Sequence, residues 1–404
     1  MAEPAKIELL TRSAGEPGFQ IYQVQSSQAH FHYRPRRLPE TSWEITAQPR
    51  SADRSRTFIL KNLPRDRYLL LDAKEHFLWE FFDGNHSLEE IARSFHLQFG
   101  AFDYTMIGGL LAKLYGAGLL LEPDALTAPR TAPRRDPKPS QRLQKLTSAW
   151  KRLSFTIPNA DQVCSNIYRR GGFLLFHPIA FWLAVAIAVG AAGAALRLGT
   201  HAKQFAQLLA GAPWLGTGAI LSMMLIASAL HVLVHALACK AFHRRVREMG
   251  FFLLQGLVPT FYADVTDIFM STRRARLIVD LAGPMVEVVL GSAAFLGAYA
   301  ATGVSQALLF SIGVLLWESA FINLYPFNFL EMDGYNIVAD LMAIPTLRQQ
   351  SLALLAKLPS RLRRPKTIER AERIQITYLL LCFASVAVYA ALHLGPAVAL
   401  LAHW

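Results

Sequence analysis

From residue 171 onward the chain runs in long uncharged blocks separated by short basic segments, and this constrains its fold more than any other feature. A run of ~20 mainly apolar residues is long enough to cross the hydrocarbon of a bilayer as a helix. Five such spans are expected, at 171–196, 214–238, 277–301, 306–327 and 374–394. Composition agrees: 53% of the 404 residues are hydrophobic and 17% charged, too apolar for an ordinary soluble chain of this length.

The formal charge is +12, which in a soluble protein would point to nucleic acid. Here the basic residues crowd beside the apolar runs. Lys240, Arg244, Arg245 and Arg247 follow the second run; Arg273, Arg274 and Arg276 precede the third; Lys357, Arg361, Arg363, Arg364, Lys366, Arg370 and Arg373 precede the fifth. If the first third of the chain is cytosolic, alternation of the spans puts all of these clusters on the cytosolic side, as the positive-inside rule requires. The partner implied is the lipid bilayer, with no nucleic acid, and the pattern suits a bacterial-type inner membrane. Residues 1–18 carry Glu3, Lys6, Glu8, Arg12 and Glu16 without an apolar core, so no secretory signal is expected there. Cys164, Cys239 and Cys382 are too few and too scattered for a disulfide framework or a cysteine zinc cluster.

Three regions follow. Residues 1–123 read as a small α+β, winged-helix-like domain: strands at 57–61 and 67–71, helices at 73–82, from Ser87, and at 103–115, and a closing strand at 119–122. Ser87-Leu88-Glu89-Glu90 supplies a serine cap and an acidic first turn. Residues 124–170 read as a linker, with Pro129, Pro133, Pro137 and Pro139 set among arginines and lysines. Residues 171–404 are the membrane-embedded part. The fold class expected is mainly α, a polytopic helical membrane protein with a small α+β front domain.

The second span carries His231-Val232-Leu233-Val234-His235. Positions i and i+4 share a helix face, so both imidazoles can reach one Zn²⁺. The spacing is that of H-E-x-x-H, with Val232 where that motif has its general-base glutamate. Asp333, just past the fourth span and followed by Gly334, falls at the same level and offers a third ligand. Four further carboxylates, Asp280, Glu287, Glu318 and Glu331, are costly near hydrocarbon and need partners. Glu318 and Glu331 stand nearest in sequence to the site as substitute bases, with a purely structural pairing as the alternative.

Two resemblances extend this reading. Tyr68-Leu69-Leu70-Leu71-Asp72, Leu78-Trp79-Glu80-Phe81-Phe82-Asp83-Gly84, Ser87-Leu88-Glu89-Glu90-Ile91-Ala92 and Leu114-Tyr115-Gly116-Ala117-Gly118-Leu119-Leu120 resemble the PqqD-like domains, which bind precursor peptides in maturation systems. The histidine pair, Ala282-Gly283-Pro284, Asn323-Leu324-Tyr325-Pro326 and Met332-Asp333-Gly334-Tyr335 resemble the site-2 protease family of intramembrane zinc metallopeptidases, and most closely its peptide zinc metalloprotease branch. That resemblance implies zinc on His231, His235 and Asp333, a substrate-binding role for Asn323, and a membrane-dipping segment at 250–262. It also implies a peptide or protein substrate and a possible maturation or export partner. Met332 replaces the family's usual leucine; Val232 is the serious departure, since losing a positioned base typically costs ~10²- to 10⁴-fold in rate. Three functions follow as expectations: a zinc-binding, peptide-handling protein with lost or altered proteolysis; an active peptidase using Glu318 or Glu331; and a metal-free peptide transport or maturation partner.

Overall fold

A computed structural model describes residues 7–11, 20–24, 33–48, 56–100, 104–121, 154–254, 258–344, 346–362 and 370–402. The chain divides into two compact units, residues 1–50 with 54–138, and residues 51–53 with 139–404.

In the first unit β1 (Ile7–Thr11) and β2 (Gln20–Val24) pair antiparallel, and β3 (Trp43–Ala47), β4 (Thr57–Asn62) and β5 (Arg67–Asp72) form an antiparallel sheet in that order. Three helices follow, α1 (Ala73–Glu80), α2 (Leu88–Phe99) and α3 (Tyr104–Ala117). Local chemistry sets the first two starts. Asp72 accepts from the Lys74 and Glu75 N–H groups while the Glu75 carboxylate accepts from the Asp72 N–H, and Ser87 and Glu90 form a second such reciprocal cap. Leu60, Leu71, Trp79, Phe82, Ile91, Phe95, Leu110 and Leu114 fill the core. Asn62, buried, donates to the Ala117 and Gly118 carbonyls at 2.9 and 2.7 Å and so ties the end of β4 to the end of α3. The expected strand at 119–122 is narrower: Leu120 bridges Arg37, Leu121 N–H donates to the Arg36 carbonyl, and Glu122 lies outside the described residues.

The second unit begins earlier than the apolar runs do. Within the expected linker, residues 124–153 lie outside the described residues, but Ser154–Thr156 is strand β6 and Ala160–Arg169 is helix α4. Helix α4 packs through Ala160 and Cys164 on later elements. Then come α5 (Pro178–Gly199), α6 (Ala202–Ala210) and α7 (Pro213–Ala241). Strands β7 (Glu248–Leu254) and β8 (Val258–Asp264) form a hairpin, and β6 joins β7 to give the order β6-β7-β8. The segment expected to dip into the membrane is therefore this hairpin. A Cβ on Gly250 would run into the Phe155 carbonyl, so glycine lets β6 come close. Helices α8 (Arg273–Ala300), α9 (Gly303–Leu324), α10 (Asp333–Met342), α11 (Leu347–Leu362) and α12 (Arg370–Ala402) complete the chain.

Among the described residues four helices, α5, α7, α8 and α9, are long and apolar enough to cross a membrane, consistent with an integral membrane protein. The fifth expected span lies within α12, a continuous helix of 33 residues. The first starts later than expected, because Gly172–Phe176 forms a 3-10 turn before Pro178 opens α5. Helix α8 packs against α5, α7, α9 and α10. Small residues let its neighbours approach: a Cβ on Gly291 would meet the Trp317 ring, and one on Gly313 would meet Phe295. Trp317 Nε1 donates to the Val288 carbonyl at 3.1 Å, closing the α8–α9 contact.

Candidate metal centre

Three helices meet at the histidine pair. Helix α7 presents His231 and His235 from adjacent turns of one face, and α8 runs alongside with Val279, Gly283 and Glu287 spaced four apart, also along one face. The close approach of α8 depends on Gly283, since a Cβ there would overlap the Nε2 atoms of both histidines. Asp333 reaches the pair from the first turn of α10. Among the contacts that hold α10 in place, two stand out. Gly334 sits against the Leu324 carbonyl where no side chain fits, and buried Arg276 of α8 donates to buried Asp340 at 2.7 Å.

The hydrogen bonds fix how each imidazole faces. His235 Nδ1 lies 2.7 Å from the Val279 carbonyl, which can only accept, so Nδ1 carries the proton. His231 Nδ1 lies 3.0 Å from Glu287 Oε1 and donates to that carboxylate. In the neutral imidazoles that can bind a metal, both Nε2 atoms are then lone pairs, and they face each other at 3.0 Å. Asp333 joins them, Oδ2 at 3.3 Å from His231 Nε2 and Oδ1 at 3.5 Å from His235 Nε2. Two lone pairs and a carboxylate converging on one point repel unless a cation sits among them. Donors ~2.0–2.1 Å from a tetrahedral ion lie ~3.3–3.4 Å apart, close to the spacing here. The charge count agrees: two neutral imidazoles with the carboxylates of Asp333 and Glu287 sum to two negative charges, which a divalent ion balances in a poorly solvated site. His231, His235 and Asp333 could thus hold a metal ion.

The other expected site residues fall elsewhere. Glu318 and Glu331 are not brought into the group of donor atoms that lie within 4.8 Å of one another. Glu331 is turned to α11, accepting from Arg348 Nε at 3.0 Å and from Gln349 Nε2 at 3.0 Å, which satisfies the carboxylate away from the centre. Glu318 sits half-buried in α9. Asn323, assigned to substrate by resemblance, points its Nδ2 at Glu287, 3.3 Å from Oε2 and 3.5 Å from Oε1. Cys239 is a buried thiol whose Sγ contacts the Arg245 carbonyl. Glu287, 4% exposed, is the participant that the sequence did not single out for the site. Its signal was its place on the stripe of Gly283, one turn on, inside an apolar span.

Beside the centre a cavity of about 660 Å³ reaches Met332, the residue before Asp333; Phe321, Tyr325, Phe327 and Leu381 make its walls mainly apolar. No protein-family model, curated protein or solved structure matches the chain.

Proposed function

We propose that this is a membrane-embedded, peptide-handling protein of site-2-protease type that keeps a zinc centre and has lost or altered its proteolytic activity. The observation that carries the reading is the convergence of both Nε2 atoms and the Asp333 carboxylate, with each Nδ1 already satisfied from behind. Zinc fits this N₂O donor set, with a fourth position left for water or substrate. When bound, it supplies Lewis-acid polarisation of a carbonyl and acidifies water.

The chain's own residues supply less. Val232 stands where a carboxylate would take a proton and hand it to the leaving amine, and valine can do neither. Glu287 is occupied on the far side of the His231 ring, and Glu331 is held by Arg348. Efficient hydrolysis by the usual route is therefore not expected, while binding is. The cavity beside Met332 is of a size and polarity that suits an apolar segment of a peptide. The first unit, with its three-stranded sheet and three helices, is in this reading a PqqD-like module that recruits the peptide on the cytosolic side of a bacterial inner membrane.

The test is zinc content per chain in detergent-purified protein, for the unaltered sequence beside His231→Ala and Asp333→Ala. About one zinc, lost in both variants, is the expected result; an unaltered chain free of zinc after loading would overturn the metal reading and leave a peptide-binding scaffold.

A further inference from the structure

The centre has a feature that its three ligands do not explain. A carboxylate buried in a span is expensive, and Glu287 is 4% exposed within α8. It touches neither Nε2 atom of the pair. One oxygen instead takes the Nδ1 proton of His231 at 3.0 Å, and the group is gripped from the other side by Asn323 Nδ2. The second histidine manages with less: His235 Nδ1 donates to the Val279 carbonyl, a backbone group that exists anyway. A carboxylate behind His231 therefore does something a carbonyl could not.

We propose that Glu287 and Asn323 are positioning residues for the metal ligand His231, an inference that rests on the metal reading above. Glu287 fixes the tautomer that leaves Nε2 as the donor, holds the ring plane, and raises the basicity of the ligand by sharing its Nδ1 proton. It also supplies the second negative charge against a divalent ion, which Asp333 alone would leave half-balanced. Asn323 has a matching task. Its amide donates to both Glu287 oxygens, so the carboxylate is kept aimed at His231, and helix α9 is coupled to α8 beside the centre.

The experiment measures zinc affinity of full-length, detergent-purified protein by competition with a chromophoric chelator, and the visible absorption of the Co²⁺-loaded protein. The variants are Glu287→Ala, Glu287→Gln and Asn323→Ala. Loss of an outer-shell partner typically weakens metal binding by about 10- to 100-fold. That loss is expected for Glu287→Ala, a smaller one for Glu287→Gln, whose amide oxygen still accepts from Nδ1 but carries no charge, and a shifted Co²⁺ spectrum for Asn323→Ala. A purely structural role predicts the opposite pattern: lower unfolding temperatures in the metal-free protein with zinc affinity unchanged. Glu287→Gln keeps the side chain's shape and so remains informative should Glu287→Ala fail to fold. Zinc affinities within twofold of the unaltered chain for Glu287→Gln and for any folded Glu287→Ala would overturn this proposal while leaving the metal reading intact. An unaltered chain that binds neither zinc nor Co²⁺ would overturn both.

Discussion

Two positions carry most of the chemistry at the scale of single residues, and both are defined by what is missing. Gly283 has no side chain, and that lets α8 lie against the histidine pair. Gly283→Ala is expected to abolish the zinc content of purified protein while circular dichroism stays helical, because one methyl forces both imidazoles out of register. Gly218→Ala on α7, where the new Cβ meets open space, is the control and should leave zinc content unchanged. Val232 is the other position. On the proposed reading, placing a carboxylate there with Val232→Glu is expected to raise hydrolysis of dye-labelled casein by about 10²- to 10⁴-fold over the unaltered chain. A Val232→Glu protein that binds zinc and still shows no gain would overturn the protease-derived part of that reading.

Between elements, the site depends on α10 being docked, and the dock is a buried ion pair. Arg276→Met would leave the Asp340 carboxylate without its partner, a change that costs about 3–5 kcal/mol and should appear as a marked drop in unfolding temperature together with weaker zinc binding. Replacing both residues by leucine should recover much of the stability. In the first unit, burial alone would raise the Asp83 carboxyl, but the N–H groups of Asn85 and His86 and the His86 ring bring it to about 2, below its ordinary 3.8. A lowered folded value means that the stabilisation is complete above the unfolded value and is lost as pH falls from about 4 to about 2. Asp83→Asn should therefore show a smaller drop in unfolding temperature across that window than the unaltered chain, as calorimetry would read. Much of this was legible in the sequence. Uncharged runs mark the spans, a four-residue spacing places two histidines on one face, and Ser87 with Glu90 marks a helix start. Strand β6 was not, because it is fixed by β7, a partner far along the chain. Glu287 was missed as a site residue for the same reason: its role depends on which helix lies beside it.

Charge and topology meet at the scale of the whole molecule. The connection between α5 and α7, residues 200–212, holds one basic side chain beyond histidine, Lys203, and that between α8 and α9, residues 301–302, holds none. The connection between α7 and α8 carries Arg244, Arg245 and Arg247, and α8 itself opens on Arg273, Arg274 and Arg276. Contacts within the second unit fit one orientation for these helices. Arg197 at the end of α5 donates to the Tyr299 hydroxyl at the end of α8, so those two ends share a level, while His235 and Asp333 share the other. Basic residues favour the cytosolic side, so the centre should open there. The three native cysteines are buried, and replacing them gives a clean background for labelling. In intact cells a membrane-impermeant maleimide is expected to modify Thr200→Cys, and to modify His243→Cys only after permeabilisation. The reverse pattern would place the proposed metal centre on the outer face and overturn the cytosolic side assigned to it from the basic segments.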